Sequence, residues 1–266
     1  MDSLRTVTNE MPDLLLFSES LFCWHLANYT FCNDPALEDR EADSADHAAR
    51  NRWFGNVLVR SGFAALLLLM MAGALHRREV LHGIAIFVGS LLIPLIRRQL
   101  PVRFLAEFEL AVNSLVVAAL WFAARYWTSP AASLPWVNLS HGKISAILLC
   151  ASVFIYMVRG GGYLVRSILK KAGGMPDVDN LGFESSDGYA HGRMIGQIER
   201  IIVVLIVMGG TLQALAFFFA AKGLIRSKEL EQRPLADYFL LGSLASFLIA
   251  LAAGLILQKV VAALWL

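Results

Sequence analysis

Long apolar runs separated by short polar segments dominate the chain, and they predict about six membrane-spanning helices. A helix needs roughly 20 consecutive, mostly apolar residues to cross the hydrocarbon core of a bilayer. Runs of this kind occupy approximately residues 56–75, 80–96, 104–126, 144–159, 198–222 and 238–264. The pattern therefore predicts an all-α integral membrane protein.

A further apolar stretch at residues 13–31 is interrupted by polar residues. These are Ser18, Glu19, Ser20, His25 and Asn28. Polar side chains are costly in the hydrocarbon core, whereas a helix at the membrane surface, or one that enters and leaves on the same side, tolerates them. We therefore expect an N-terminal interfacial or re-entrant helix, with a tilted span as the least favourable alternative.

The polar segments between the runs predict four regions along the chain. Residues 1–53 form an amphipathic or re-entrant segment with a polar linker, and residues 54–159 form a four-helix transmembrane region. Residues 160–192 form a cytoplasmic loop with a basic amphipathic start, and residues 193–266 form a C-terminal pair of transmembrane helices.

The distribution of Lys and Arg between the spans indicates the orientation only weakly. The loops at 33–53, 97–106 and 159–193 together carry more positive charge than the opposite set, which favours placing them in the cytoplasm. The basic residues between 222 and 233 argue against this assignment, because a complete fifth span would place them on the other side. One resolution is that the fifth span bends at the Gly209–Gly210 pair and does not cross completely.

Composition supports membrane insertion and gives no sign of a soluble catalytic domain. Hydrophobic residues make up 57% of the chain and charged residues 17%, whereas soluble domains carry about 25% charged residues. The formal net charge of +2 supplies no strong field that would attract nucleic acid. Phosphate-binding loops, zinc-protease motifs and serine-hydrolase motifs are absent from the sequence, so we expect no enzymatic activity and no cofactor.

The cysteines and histidines near the amino terminus do not form a metal-binding pattern. Cys23, His25, Cys32 and His47 lack the closely spaced ligand pairs of structural zinc sites. We therefore expect no metal site.

Small and polar residues inside the spans are candidates for pore lining or helix packing. In the last span, small or polar residues recur every four positions from 238 to 258 and lie along one helix face. Small residues let helices approach closely in lipid, so this face packs within one subunit, packs between subunits or lines a narrow pore. The candidates are Asn113 and Ser114 in the third span, Thr211 and Gln213 in the fifth, and Gly242 and Ser246 in the last.

Basic residues around the start of the fifth span are candidates for binding an anionic ligand or a partner. Arg193, Gln197 and Arg200 share one helix face. Such charges either anchor the helix at the interface or bind an anionic lipid or nucleotide near the helix N-terminus. The full set of candidates is Arg166, Lys170, Lys171, Arg193 and Arg200. Arg60, near the start of the first span, is expected to extend its side chain to the lipid headgroups.

Three segments near the C-terminal end form a specific pattern. They are GRMIGQIER at 192–200, FFFAAKGLIR at 217–226 and DYFLLGSLASFLIAL at 237–251. They resemble the domain-of-unknown-function 3307 family of bacterial membrane proteins. The segment HLANYTFC at 25–32 is similar to that family's His-(x)3-Asp-Phe segment, with Asn28 in place of an acid. Because the family has no established activity, the resemblance implies a bacterial membrane protein and supplies no function.

The sequence favours an oligomeric channel or pore-forming effector. The chain is short, has no large soluble domain and places polar residues inside its spans. Bacterial anti-phage operons pair such effectors with nucleotide-signalling enzymes, so a nucleotide or oligonucleotide signal, or a regulatory protein, is a candidate partner. We expect a homo-oligomer in the bacterial inner (cytoplasmic) membrane, without sequence-specific nucleic-acid binding. The alternatives are a secondary transporter, a membrane enzyme acting on a lipid phosphate and a non-conducting scaffold.

Overall fold

The computed structural model describes residues 11–30, 47–72, 77–126, 140–173, 186–225 and 233–265. Over these residues the chain forms eight α-helices and a short 3-10 turn at Val102–Phe104, and it contains no β-strand. The helices are α1 (Met11–Tyr29), α2 (His47–Ala72), α3 (Arg77–Gln99), α4 (Leu105–Tyr126), α5 (His141–Lys171), α6 (Ser186–Met208), α7 (Gln213–Ile225) and α8 (Arg233–Trp265). The prediction of an all-α protein is confirmed.

Four of these helices are long and apolar enough to cross a membrane. The stretches are Val80–Arg97 in α3, Leu105–Ala123 in α4, His141–Lys171, which is all of α5, and Leu240–Trp265 in α8. The apolar stretches of α2 and α7, Asn56–Met70 and Gln213–Leu224, are shorter than the roughly 20 residues that a span needs. Within the described residues, the structure supports four spans and does not confirm the predicted number of about six.

The predicted fifth span at 198–222 consists of two helices. Helix α6 ends at Met208 and α7 begins at Gln213. Gly210 between them has a φ of 70°, a left-handed conformation that glycine adopts at little cost. The bend that the charge distribution suggested is present, and a continuous fifth span is wrong.

The fourth predicted span also differs from the structure, because α5 continues through Gly160–Gly162 to Lys171. Glycine in a helix interior costs about 1 kcal/mol relative to alanine, so the sequence indicated an end here. A Cβ atom at Gly161 would lie 2.9 Å from Nε of Arg200. The close approach of this guanidinium requires the glycine, and the first twelve residues of the predicted loop at 160–192 are helical.

The chain divides into two compact units. Unit 1 comprises Met1–Leu100, Leu110–Ile155 and Ala263–Leu266, and unit 2 comprises Pro101–Glu109 and Tyr156–Ala262. Helices α4 and α5 contribute residues to both units.

In unit 1, helix α1 packs against the pair formed by α2 and α3. The apolar core between these helices consists of Cys23, Ala27, Ala64, Leu68 and Ile86. From Leu14 to Tyr29, no side chain of α1 is exposed. An interfacial helix leaves its polar face in water, so this burial does not fit the interfacial alternative. The re-entrant placement of α1 stays a prediction.

Candidate functional site

Helices α6 and α7 form a hairpin that turns at residues 209–212. Nζ of Lys222 in α7 donates to Oε2 of Glu199 in α6 at 2.6 Å. Each residue lies nine positions from the turn, so α7 returns antiparallel beside α6. The ion pair therefore joins the two arms about 14 Å from the turn, at about 1.5 Å per helical residue.

Helix α8 runs parallel to α6, and contacts between the two helices show which residue of α8 lies beside the turn. Nη1 of Arg200 in α6 donates to Oγ of Ser246 in α8 at 3.3 Å. Further along, a Cβ atom at Gly210 would lie 3.6 Å from Nε2 of Gln258. Residue numbers therefore rise together along the two helices, and the turn lies beside Gln258.

This level is inside the apolar stretch Leu240–Trp265 of α8. Gln258 lies 18 residues after Leu240 and 7 residues before Trp265. These separations correspond to about 27 Å and about 10 Å along a helix. The hairpin thus ends within a stretch that is long and apolar enough to cross a membrane.

Residues 208–213, which we call the hairpin tip, expose polar groups. Thr211 and Gln213, two of the candidates from the sequence, are both exposed. Among the described residues, no backbone N–H donates to the carbonyl groups of Met208, Gly209 or Gly210. The tip therefore carries unpaired backbone acceptors together with a hydroxyl and an amide.

Arg200 ties the hairpin to two other helices. It is buried, and its Nε donates to the carbonyl oxygen of Met157 at 2.8 Å, while Nη2 donates to that of Val158 at 3.1 Å. Its third nitrogen, Nη1, donates to Ser246. One guanidinium thus bonds both α5 and α8. The sequence made Arg200 a candidate for binding an anion, whereas in the structure all three nitrogens hold helices together.

The three segments that carry the family resemblance meet around one small cavity. The residues lining it are Glu199, Arg200, Val203, Phe218, Phe219, Lys222, Ser243, Ser246 and Phe247. The rings of Phe219 and Phe247 meet edge to face with their centroids 4.4 Å apart. The segments at 192–200, 217–226 and 237–251 therefore form one cluster at the base of the hairpin.

Reversing the ion pair tests whether it holds the hairpin closed. The side chains of Glu199 and Lys222 are only 18% and 17% exposed, so Glu199→Gln or Lys222→Gln leaves a largely buried charge without its partner. We expect each single variant to lower the Tm of the protein in nanodiscs by about 3–8 °C. The double variant Glu199→Lys, Lys222→Glu restores the pair and should recover most of this loss. A double variant that is less stable than either single one would contradict the assignment.

Asn113, a candidate for pore lining, belongs to a polar network in unit 1. Its Nδ2 donates to the hydroxyl of Tyr29 at 2.9 Å, and its Oδ1 lies 3.3 Å from Nε2 of His25. The other ring nitrogen of His25, Nδ1, lies 2.5 Å from Oγ of Ser152. Because an amide oxygen only accepts, Nε2 donates, and Nδ1 of a neutral ring accepts from Ser152. This placement favours the packing role for Asn113.

The other small and polar candidates have different surroundings. Ser114 is exposed on α4. A Cβ atom at Gly242 would lie 3.5 Å from Leu169 of α5, so this face of α8 packs within unit 2. Ser246 lies on the same face and accepts from Arg200. Gly242 and Ser246 therefore act as packing residues within the subunit.

The basic candidates on α5 lie at its C-terminal end. Lys171 forms an exposed ion pair with Glu107, Lys170 is exposed and Arg166 is half-buried. Arg193 is part of α6, but its side chain lies outside the described residues. Of the four basic candidates whose side chains the structure describes, only Arg200 takes part in the cluster at the base of the hairpin.

The sequence did not indicate the pairing of Lys222 with Glu199, nor the contact of the glycine run in α5 with Arg200. Lys222 is separated by 23 residues from its partner Glu199, which is a distance that no helical periodicity predicts. The three glycines after Arg159 could have indicated a close contact with another helix, because glycines inside an apolar helix are costly unless a neighbour requires them. The same glycines are equally typical of a helix end, so the sequence alone does not distinguish the two.

Comparisons with known proteins supply no relative. No protein-family model, no curated protein and no solved structure matches the chain.

Proposed function

We propose that the protein is an oligomeric membrane channel in which the hairpin tip of each copy lines the pore. The observation that supports this function is the position of the tip. Exposed, irregular backbone lies beside Gln258, within the apolar stretch Leu240–Trp265.

Lipid is an unsuitable neighbour for this tip. An unpaired backbone group costs several kcal/mol in hydrocarbon, so irregular backbone at membrane depth occurs only where protein covers it or water reaches it. In a single copy, residues 209–213 of the tip are exposed. A ring of copies around an axis covers one side of each tip with protein and leaves the other side to a water-filled pore.

The tip also carries polar groups of the kind that line water-filled ion pathways. Carbonyl oxygens, the hydroxyl of Thr211 and the amide of Gln213 are groups that replace part of the hydration shell of a permeating ion. The proposed gate responds to an anionic nucleotide signal or a regulatory protein of a bacterial defence system. Its contact surface is the basic end of α5, where Lys170 is exposed.

A cysteine placed in the tip should become a site of channel block. We expect Thr211→Cys protein in liposomes to lose at least about tenfold in ion flux after treatment with a charged, membrane-impermeant thiol reagent, because the adduct would occupy the pore. Phe217→Cys is the matched control, since Phe217 lies on α7 of the same hairpin and is 78% exposed on an apolar helix. Equal inhibition at both positions, or flux that survives complete labelling of Thr211→Cys, would rule out the tip as the pore lining.

A secondary transporter is the second candidate, because broken helices also form substrate sites in transporters. The break between α6 and α7 is the observation that favours it. Recording in planar bilayers separates the two functions. Discrete conductance steps indicate a channel, whereas saturable exchange without steps indicates a transporter.

A further inference from the structure

Helix α1 of unit 1 carries a row of buried polar atoms without hydrogen-bond partners. Ser20, Trp24 and Asn28 recur every four residues and therefore lie along one face of the helix. Their side chains are 0%, 4% and 3% exposed. Ser20 Oγ, Trp24 Nε1 and Asn28 Oδ1 each lack a hydrogen-bond partner within the structure.

Helix α2 adds unpaired atoms at one end of this row. Nη1 of Arg60 donates to the carbonyl oxygens of Ala27 and Thr30 at 3.3 and 3.1 Å, so Arg60 is fixed at the C-terminal end of α1. The side chain is 8% exposed, which differs from the predicted extension to the headgroups. Its Nη2 and the neighbouring hydroxyl of Ser61 have no hydrogen-bond partner. The unpaired Nη2 of Arg60 therefore lies at the end of α1, beside Ala27 and Thr30.

Packing prevents the unpaired side chains of α1 from rotating toward the surface of the unit. The ring of Trp24 lies so close to α3 that a Cβ atom at Gly89 would be 2.7 Å from its Cζ3 atom. The amide nitrogen of Asn28 is already used, because Nδ2 donates to the carbonyl oxygen of Trp24 at 3.0 Å. The unpaired atoms thus stay inside the unit, where each costs about 1–3 kcal/mol unless it is bonded.

The mixture of donors and acceptors identifies the missing partner by its chemistry. Trp24 Nε1 and Arg60 Nη2 only donate, Asn28 Oδ1 only accepts, and the hydroxyls of Ser20 and Ser61 do both. An anion would not satisfy the amide oxygen, and a metal cation would be repelled by the guanidinium. Water both donates and accepts, and buried water bonds such groups in proteins.

We infer that unit 1 binds a file of water molecules along this face of α1, from Arg60 and Asn28 to Ser20. The file spans about 12 Å, because Ser20 and Asn28 are eight residues apart on a helix that rises about 1.5 Å per residue. The hairpin tip belongs to unit 2, so this hydrated site does not rest on the proposed channel.

Two serines of α1 form a matched pair for testing the water file. Ser18 and Ser20 are both fully buried, but the hydroxyl of Ser18 donates to the carbonyl oxygen of Leu15 at 2.8 Å. If water bonds Ser20, Ser20→Ala removes a hydrogen bond, and we expect its Tm in nanodiscs to fall about 2–4 °C below that of the wild-type protein, as for Ser18→Ala, which also loses a hydrogen bond. If the site is dry, removing an unpaired hydroxyl stabilises the protein. A Tm for Ser20→Ala that equals or exceeds that of the wild-type protein, while Ser18→Ala is destabilised, would overturn the inference.

Radiolytic labelling provides a readout that does not depend on stability. Short X-ray pulses convert bound water to hydroxyl radicals, which oxidise side chains in contact with it. We expect Trp24 of the intact protein in nanodiscs to be oxidised although it is buried, and the extent to fall at least about twofold in Ser20→Ala, where one water contact is lost. Absence of oxidation at Trp24 while the exposed Trp265 is modified would show that the row is dry.

Discussion

Arg200→Ala is expected to lower the Tm of the purified protein in nanodiscs by about 10 °C. The change removes the donors that bond Met157, Val158 and Ser246. It also leaves a cavity where a large side chain was 5% exposed. Hydrogen bonds from charged groups contribute about 1.5–3 kcal/mol each, and truncation of a large buried side chain to alanine costs about 2–5 kcal/mol. The substitution also removes the desolvation cost of a buried charge, which offsets part of this loss of stability.

Arg200→Lys separates charge from geometry. A lysine keeps the positive charge but lacks the planar fork that reaches α5 and α8 together, so we expect an intermediate Tm. Arg103→Ala is the control for loss of an arginine, because Arg103 is exposed in the same unit and its removal should change the Tm by less than about 2 °C. If the exposed and buried arginines gave equal shifts, Arg200 would not be the link between the helices.

Gly254→Val is expected to have the second-largest effect, because α6 and α8 touch at this position. A Cβ atom at Gly254 would lie 2.8 Å from Cβ of Val207 and 3.4 Å from the backbone Cα of Val204. Backbone cannot move aside as a flexible side chain does, so the helices must separate. Overpacking of this kind costs about 1–3 kcal/mol or more, which corresponds to a fall in Tm of at least about 5 °C.

Two glycines of the same unit serve as controls for Gly254→Val. A Cβ atom at Gly242 would make an ordinary contact of 3.5 Å with Leu169, and at Gly223 it would meet nothing within 4 Å. We expect Gly242→Ala to be nearly neutral and Gly223→Ala, in the last turn of α7, to raise the Tm slightly because alanine favours the helix. Similar losses for all three substitutions would mean that α6 and α8 are not in close contact.

The sequence predicted the parts of the fold that depend on local properties. The spans in α3, α4 and α8 follow from hydrophobicity summed over about 20 neighbouring residues, and the structure has apolar helices at these positions. The break near Gly210 was suggested by two adjacent glycines and by the misplaced basic residues between 222 and 233. Both signals lie within a short segment of the chain.

The features that depend on distant contacts could not be predicted in this way. The sequence marked Arg200 and Ser246 separately, but their bond joins helices 46 residues apart. The continuation of α5 through its glycines depends on Arg200, which lies on another helix. The burial of α1 depends on α2 and α3, so its polar residues suggested a membrane surface. A single sequence contains no record of such pairings.

The return of α7 beside α6 determines how much of the chain has to be translocated during biosynthesis. In the proposed arrangement both arms of the hairpin, α6 and α7, lie on the same side of the tip, so the hairpin itself carries no hydrophilic loop across the bilayer. Helix α8 then starts on the side from which α6 enters. Lys222 of α7 lies at the same end of unit 2 as Lys170 and Lys171 of α5, and in the proposed arrangement this single charge bias orients the nascent chain.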